Sequence, residues 1–346
     1  KKLSMSKKNS IVLNHKNCFS KHEQITNFYL NFKNILSNFK SKSFLVAVSG
    51  GPDSLALAAL CKAYESETLK TKFHYVHVNH AIRKKADQES KRVKKILSKQ
   101  NIDLKIIKNR KKIVKNVQHN ARVIRYSLMS AECKKKKINS ILTAHHKNDQ
   151  IETFLIRLSR GSGIKGLSSM STISELDKNI KIYRPLLSVN KKELIMITKS
   201  VFGEYIKDPS NRSKKFLRSN IRQLIPLLEK YGIKNDQVIR SINNIKSSNQ
   251  TIDLYLKNVI KRFIKKNKNK LIISKKNLFS LSPELQLRTL GFMIKSLNNS
   301  EYPPRSKKSS YPLKSNDLKR VYKSLPALAY PLNPVSGQFS NSPAPP

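Results

Sequence analysis

The sequence predicts an α/β protein in which a domain with a parallel sheet is followed by a smaller helical domain. Short β-prone apolar runs alternate with helical patterns from residue 44 to about residue 200, and beyond residue 211 helical patterns continue without strands. Such alternation is typical of parallel sheets covered by helices on both faces, whose ligands bind at the carboxyl ends of the strands. We therefore expect the polar residues that follow the strands to form the functional site.

Four segments divide the chain. A basic lead-in with one edge helix occupies residues 1–40, the sheet domain 41–212, the helical domain 213–300, and a proline-rich tail 301–346, which we expect to be disordered or aberrant. The predicted strands lie at 44–48, 73–79, 104–108 and 138–144, and the predicted helices at 25–36, 55–64, 85–99, 117–136 and from residue 191 onward.

The charge of the chain predicts a polyanionic partner. Its 346 residues include 70 Lys and Arg against 21 Asp and Glu, a formal net charge of +49. A lysine-rich compositional bias is the alternative explanation. No apolar run approaches the roughly 18 residues that a spanning helix needs, which predicts a protein without a membrane segment. The first residues lack the apolar core of a signal peptide, so we expect a cytoplasmic protein.

The three cysteines, Cys18, Cys61 and Cys133, are widely spaced and form no CxxC motif. An odd number at such spacing argues against disulfides, zinc and an iron–sulfur cluster.

The segment SGGPDS, residues 49–54, joins the first strand to the first helix of the sheet domain. Glycines at a helix N-terminus let the backbone approach an anion, and the helix dipole favours negative charge there. The segment lacks the Lys-Ser/Thr of a Walker A loop and the GxGxxG of a dinucleotide fold. Ser49 and Ser54 offer hydroxyl groups, and Asp53 offers a carboxylate suited to Mg²⁺. The segment predicts a phosphate site, and the alternative is an ordinary glycine turn.

A second group of polar residues follows the strand at 138–144. His145 and Asp149 are four residues apart, a spacing that places two side chains on one face of a helix, where they can contact a phosphate, Mg²⁺ or each other. A structural hydrogen bond is the alternative role for each histidine, and a helix-dipole contact is the alternative for Asp149 and Glu152. The basic turn at 160–163 suits a phosphate contact or simple helix termination.

Five segments in a characteristic order make the chain resemble the tRNA(Ile)-lysidine synthetases of the PP-loop, or ATP pyrophosphatase, superfamily. They are SGGPDS, HVNHAIR (77–83), NARVIRY (120–126), AHHKNDQIETFLIRLSRGSGIKGL (144–167) and DPSNRSKKFLRSNIRQLIPLL (208–228). The resemblance covers about residues 40–230 and implies an adenine nucleotide alpha hydrolase-like fold. It also implies an enzyme that uses ATP and Mg²⁺ to ligate free lysine onto carbon 2 of the wobble cytidine in the CAU anticodon of isoleucine tRNA, by way of an adenylated base, so that the tRNA reads AUA.

The resemblance also assigns roles to residues. It implies that Asp53, Arg125, His145 and Asp149 are catalytic and that Asp53 binds Mg²⁺. The residues implied to bind the pyrophosphate part of ATP are Ser49, Gly50, Gly51, Pro52, Asp53 and Ser54. Arg122 is a weaker candidate for the basic active-site residue. Nucleotide-pocket roles are assigned to Asn79, His80 and Arg83, with simple closure of a strand end as the alternative. RNA binding is assigned to Arg160, Arg218 and Arg222, with domain docking as the alternative for the last two.

The sequence departs from the family pattern at several places. Asn148 stands where an aspartate is frequent, Ser219 replaces an asparagine, and the family's terminal module is not recognisable after Arg305. We therefore interpret the end of the chain as truncated or frameshifted. A homodimer is compatible with the sequence. The alternative functions are another PP-loop tRNA-modifying enzyme and a non-catalytic basic RNA-binding protein.

Overall fold

A six-stranded sheet organises the computed structural model, which describes residues 23–68, 70–82, 85–110, 113, 117–177, 179–207, 217–267 and 270–298. The strands stand in the order β3-β2-β1-β4-β6-β5. All neighbouring pairs are parallel except β5 with β6 at the edge. The strands are β1 (Ser43–Ala47), β2 (Lys72–Asn79), β3 (Leu104–Lys108), β4 (Ser140–Leu142), β5 (Ile173–Asp177) and β6 (Ile180–Tyr183).

Helices connect these strands and continue beyond them. The helices up to residue 202 are α1 (Glu23–Ser37), α2 (Pro52–Glu67), α3 (Ala86–Ser98), α4 (Val117–Lys135), α5 (Lys147–Leu158), α6 (Ile164–Leu167) and α7 (Lys191–Phe202). The later elements are α8 (Leu217–Lys230), α9 (Asn235–Phe263), β7 (Lys265–Asn267), β8 (Lys270–Ile272), α10 (Lys275–Phe279) and α11 (Pro283–Asn298).

The sheet has an apolar core on each face because its strands present alternate side chains to opposite sides. Phe44 and Val46 of β1 belong to a core that includes buried residues of α1, α2, α3 and α7. Leu45 belongs to the opposite core, with Met129 and Cys133 of α4. The sheet therefore lies between two helical layers.

Helix α1 is part of the first core. Its buried residues Ile25, Tyr29, Phe32 and Leu36 recur every three or four positions and form one apolar stripe. The helix therefore contributes to the stability of the sheet domain, as its apolar spacing predicts.

The described residues form two compact units, divided between Gln250 and Thr251 within α9. In the first unit, Ile221 and Ile225 of α8 pack against Ile151 of α5. In the second unit, α10 and its following turn pack with the end of α9 in a small apolar cluster. The domain boundaries expected from the sequence stay predictions.

The α/β fold predicted from the sequence is confirmed. The interpretation of residues beyond 211 as helices without strands is wrong, because β7 and β8 form an antiparallel pair. Strands β5 and β6 were not predicted, since charged and polar residues interrupt both. The predictions on residues 1–22, Arg83, 208–216 and the tail from 299 lie outside the described residues.

None of the helices in the described parts of the chain combines the length and the apolar composition that crossing a bilayer requires.

Cys61 and Cys133 are buried free thiols, and burial raises the pKa of Cys133 to about 12.

We expect Leu36→Ala to lower the free energy of unfolding by about 2–5 kcal/mol. The Leu36 side chain is only 2% exposed, so its truncation leaves a cavity in the core. Leu30→Ala on the same helix is the matched control, since Leu30 is 45% exposed. Urea denaturation of both variants measures the difference. Equal losses would contradict the packing of α1 described above.

Candidate nucleotide-binding site

The candidate site lies at the carboxyl ends of β1 and β4. From β1 the chain passes to β2 and β3 on one side and returns to β4 on the other, so the strand order reverses between β1 and β4. Open α/β sheets bind ligands in the crevice at such a switch point. The segment 49–54 follows β1, and His145 and His146 follow β4, so the topology brings together the two groups of residues that the sequence identified.

Ser54 organises the loop after β1. Its buried hydroxyl accepts hydrogen bonds from the backbone N–H groups of Ser49 and Gly50, each at 3.1 Å, and donates to the carbonyl oxygen of Gly51 at 3.0 Å. The loop is therefore tied to the first turn of α2. The hydroxyl of Ser54 is thus already hydrogen-bonded to the loop backbone. Direct phosphate binding by Ser54 stays a prediction.

Gly50 occupies a position that disfavours any residue with a Cβ atom. Its φ is +89°, and a Cβ atom there would lie 2.5 Å from Cγ2 of Val93 on α3. The carbonyl oxygen of Gly50 accepts a hydrogen bond from Ile206 N at 2.9 Å. Nearby, Thr198 of α7 donates its hydroxyl to the carbonyl oxygen of Pro52 at 2.6 Å. The loop therefore rests on α3, on α7 and on the residues after α7.

His146 joins the two groups of the site. Its Nε2 lies 3.5 Å from a carboxylate oxygen of Asp53 and also 3.5 Å from one of Asp149. The side chain of His146 is only 3% exposed, whereas that of Asp53 is 27% exposed, so the histidine is buried and the Asp53 carboxylate is open to solvent on one side. From the sequence, His145 was the histidine expected to act with Asp149. The structure assigns the central position to His146, which is the N-cap residue of α5.

Asp149 receives several positive partners. Its carboxylate accepts the backbone N–H of His146 at 3.1 Å and a hydrogen bond from Nη2 of Arg218 at 2.9 Å. Burial alone would raise the pKa of Asp149, but His146 and Arg218 lower it below its ordinary value. Asp149 is therefore ionised near neutral pH, and it also caps the first turn of its own helix.

Glu152 lies one turn further along α5 and binds two arginines. It accepts hydrogen bonds from Nε of Arg218 and from Nε of Arg222, each at 2.6 Å, and its side chain is 4% exposed. These contacts seat α8 on α5. RNA binding by Arg218 and Arg222 stays a prediction, and the described contacts are those of a docking role.

His145 lies just before α5 and does not share a helical face with Asp149. Its Nδ1 is 2.9 Å from the hydroxyl of Thr143. Burial lowers the pKa of His145 to about 3, and Arg184 acts in the same direction, so the ring is neutral at physiological pH. A neutral imidazole can exchange hydrogen bonds with a ligand without adding charge to the crevice.

The contacts of three further predicted residues, Arg125, Arg122 and Arg160, are as follows. Arg125 of α4 donates from Nε to Nε2 of His80, which follows β2, at 3.3 Å. Arg122 lies over the ring of Tyr126 at 5.0 Å. Arg160 is exposed in the turn after α5, and Arg157 holds the next segment through the carbonyl oxygens of Gly166 and Ser169 at 2.6 and 2.9 Å.

The chemistry of Asp53 fits a divalent cation bound together with phosphates. Its Oδ1 is buried and has no hydrogen-bond partner within the described residues, and the residue stands in the first turn of α2. No group of three or more histidine, cysteine or acidic side chains able to hold a metal occurs in the described ranges. Mg²⁺ is commonly held by one or two carboxylates plus the phosphates of a substrate, and the buried Oδ1 of Asp53 offers one such carboxylate oxygen.

Two residues of the site were not selected from the sequence, namely His146 and Glu152. The signal for His146 is its N-cap position, three residues before Asp149. The signal for Glu152 is its i, i+3 spacing from Asp149, which matches the i, i+4 spacing of Arg218 and Arg222. The second signal needs the knowledge that α8 packs on α5, which the sequence alone does not supply.

A parallel sheet with a glycine loop and a helix N-terminus at its switch point defines a nucleotide-binding α/β protein. The family model of the PP-loop domain matches residues 24–228, which is more than half of the chain. The chain therefore belongs to the PP-loop family, and this membership implies the use of ATP.

The chain is similar to curated proteins named tRNA(Ile)-lysidine synthase. It is 32% identical to the one from Anaplasma marginale over 77% of this chain and 57% of the relative, and 31% identical to the one from Wolbachia pipientis over 79% and 64%. With the Rickettsia akari relative the identity is 38% over 57% and 45%. The chain thus spans less than two thirds of the length of these relatives.

Among solved structures, the U34-tRNA thiolase NcsA from Methanococcus maripaludis has a similar fold. The TM-score is 0.55 at 18% identity, over 64% of this chain and 78% of that chain. The likeness supports the fold.

We expect Gly50→Ala to weaken ATP binding and to destabilise the chain more than Gly203→Ala. Both glycines have positive φ, a strain worth about 1–2 kcal/mol for other residues, but a Cβ atom meets nothing within 4 Å at Gly203. Overpacking against Val93 should add about 1–3 kcal/mol at Gly50. Thermal unfolding and equilibrium dialysis with ATP measure the two effects, and equal behaviour of the variants would refute the close packing of the loop.

Proposed function

We propose that this chain catalyses the ATP-dependent ligation of free lysine onto carbon 2 of the wobble cytidine of the CAU-anticodon isoleucine tRNA, so that the tRNA reads AUA. The observation that carries the proposal is the junction of Asp53 and Asp149 at His146, inside a PP-loop crevice. The similarity to proteins named tRNA(Ile)-lysidine synthase supports the choice of reaction.

The loop after β1 is suited to the phosphates of ATP. The N-terminus of α2 provides backbone donors and a positive dipole, and the positive φ of Gly50 turns the backbone at the loop entrance. In this proposal residues 49–54 hold the pyrophosphate part of ATP, and Asp53 holds Mg²⁺. The cation would supply neutralisation of the negative charge on the phosphate oxygens.

The proposed reaction has two steps, adenylation of the base and substitution by lysine. The 2-oxygen of the cytidine attacks the α-phosphorus of ATP, pyrophosphate leaves, and the base becomes adenylated. The ε-amine of lysine, which must be uncharged to act as a nucleophile, then attacks carbon 2, loses a proton, and AMP leaves with the former base oxygen.

The residues at the crevice act mainly by positioning and electrostatics in such a reaction. Arg125 stabilises negative charge on the transferred phosphoryl group, and neutral His145 offers a hydrogen bond without changing the net charge. Asp149 is ionised and held by Arg218, so its place beside His146 is fixed before the substrates bind.

The tRNA partner agrees with the charge of the chain. A formal net charge of +49 favours a polyanion, and Arg160 stands exposed on a turn whose continuation is fixed by Arg157. We propose that Arg160 contacts the tRNA backbone, while Arg218 and Arg222 support the site from within. A homodimer and a cytoplasmic location remain predictions.

Purified protein with ATP, Mg²⁺, radiolabelled lysine and unmodified isoleucine tRNA should incorporate the label into the tRNA. Methionine tRNA, which carries the same anticodon, is the specificity control. Asp53→Asn should reduce incorporation at least about 100-fold, in the range seen when a transition-state contact is removed, with tRNA binding nearly unchanged. Asp103→Asn, at the amino end of β3, is the matched control and should retain activity. Absence of lysine incorporation by well-folded wild-type protein would refute the proposal.

The affinity for tRNA should fall steeply with salt, by at least about tenfold between 50 and 200 mM, because Lys and Arg contacts release counterions. Arg160→Ala should reduce the slope of log K against log salt by about one contact. Lys136→Ala, which removes an exposed charge where α4 leads into β4, is the control and should leave the slope unchanged. Filter binding at four salt concentrations gives the slopes. A flat response would mean that the charge reflects composition alone.

A further inference from the structure

A short segment after α7, residues 204–206, reaches the loop that follows β1, and we call this segment the strap. Gly203, the C-cap residue of α7, turns the chain with a φ of +72°. At the end of the strap, the backbone N–H of Ile206 donates a hydrogen bond to the carbonyl oxygen of Gly50 at 2.9 Å. The side chains of Tyr205 and Ile206 pack against the same apolar core as α7. The strap therefore connects the end of α7 to the loop.

The hydrogen bond from Ile206 fixes the orientation of the peptide group between Gly50 and Gly51. In a planar trans peptide the carbonyl and the N–H point in opposite directions, so the N–H of Gly51 points away from the strap. Within the described residues this N–H meets no acceptor, and Gly51 is the N-cap residue of α2 without a side-chain cap. The N–H of Gly51 is therefore available to an anion at the N-terminus of α2.

The local sequence does not secure this orientation. Glycine populates positive and negative φ almost equally, so a peptide between Gly50 and Gly51 can rotate at little cost. Rotation would turn the carbonyl oxygen of Gly50 to the place of the N–H, where it would repel an anion. The orientation thus depends on contacts from other parts of the chain, and the hydrogen bond from Ile206 is such a contact.

Glu204 attaches the strap to α3. Its Oε2 accepts hydrogen bonds from Nε and Nη2 of Arg92 at 3.3 and 2.8 Å, and its Oε1 accepts one from Nζ of Lys99 at 2.9 Å. Arg92 lies on α3, and Lys99 is the C-cap residue of that helix. The hydrogen bonds from Arg92 and Lys99 lower the pKa of Glu204 to about 2, so the carboxylate is charged at neutral pH.

Helix α3 also packs directly on the loop. Val93, the neighbour of Arg92, is the residue whose Cγ2 would lie 2.5 Å from a Cβ atom at Gly50. Val93 is fully buried. Helix α3 therefore acts on Gly50 in two ways, directly through Val93 and indirectly through Glu204 and the strap.

We infer that Glu204 is a positioning residue for the loop after β1: by anchoring the strap to α3, it keeps the Gly50 carbonyl bonded to Ile206 and the N–H of Gly51 turned toward the phosphates of ATP. This inference rests on the proposed role of residues 49–54 in holding those phosphates. Its test needs neither tRNA nor lysine.

The choice of variant follows from the exposure of the contact. The side chains of Arg92, Lys99 and Glu204 are 62%, 50% and 34% exposed, and ion pairs at such positions contribute little one by one. Loss of the charge in Glu204→Gln should therefore have a modest effect. Glu204→Lys replaces the attraction by repulsion from both cations and should detach the strap.

The first arm measures the hydrogen bond itself in the full chain labelled with ¹⁵N. Amide exchange followed by NMR should be about tenfold faster or more at Ile206 in Glu204→Lys, because the strap opens more often. The amide of Val48 donates to the carbonyl oxygen of Val76 within the sheet and is the internal control for a general loss of structure. Unchanged exchange at Ile206 would overturn the anchoring role.

The second arm measures the binding of ATP and, separately, of inorganic pyrophosphate by calorimetry. Glu204→Lys should bind both about tenfold more weakly and Glu204→Gln about threefold more weakly, because the competent loop is less populated. A more positive protein alone should bind these anions more tightly, so the sign of the change separates positioning from the general field. Glu175→Lys is the matched control, since Glu175 is exposed on β5 and forms no ion pair within the described residues. It should not weaken binding.

Reversal of all three charges gives a rescue. Arg92→Glu and Lys99→Glu combined with Glu204→Lys restore the attraction and should return the Kd for ATP to within about threefold of the wild type. An affinity that stays as low as in Glu204→Lys, or a Glu204→Lys variant that binds like the wild type, would overturn the inference. A wild type that binds neither ATP nor pyrophosphate would overturn it together with the role of the loop. A wild type that binds ATP but incorporates no lysine would refute the proposed reaction alone.

Discussion

The buried carboxylate of Glu152 is the constraint on which the arrangement of the site depends. A charge that is 4% exposed is costly unless it is paired and hydrogen-bonded, and Glu152 is paired twice, with Arg218 and with Arg222. Helix α8 must therefore dock on α5 for α5 to be stable in its place. Arg218, which binds Glu152, also binds Asp149. The docking of α8 on α5 therefore also orients the carboxylate of Asp149.

This arrangement also explains the use of acidic residues in a chain dominated by lysine. With 21 acidic residues against 70 basic ones, at least 49 of the basic side chains cannot each have an acidic partner of their own. Three of those acids, Asp53, Asp149 and Glu152, lie together around His146 and the two arginines of α8. The crevice is therefore a local region of balanced charge in a strongly positive molecule, which suits a site that must discriminate between ligands while the rest of the surface attracts a polyanion.

The sequence predicted the fold well where burial leaves a simple pattern. Strand β1 has a continuous buried apolar run, and β2 and β3 are rich in aromatic and β-branched residues, so the predicted bounds of all three differ from the observed ones by one residue or less. Strands β5 and β6 carry alternating charged residues, and the pair β7 and β8 is rich in lysine, so neither has that pattern. In the site, the spacing of His145 and Asp149 was read as helical, but α5 begins only at Lys147. His146 and Glu152 acquire their roles through contacts between distant segments, which no local pattern records.

The support of Gly50 and Pro52 by Ile206 and Thr198 has a consequence for the order in which the protein is made. Pro52 and Thr198 are separated by 146 positions along the chain. A ribosome delivers the glycine loop early, but the residues on which that loop rests emerge only after the whole sheet has been synthesised. The loop therefore reaches its final packing late in translation, so a nascent chain that is released before residue 206 would carry the motif without the support that shapes it.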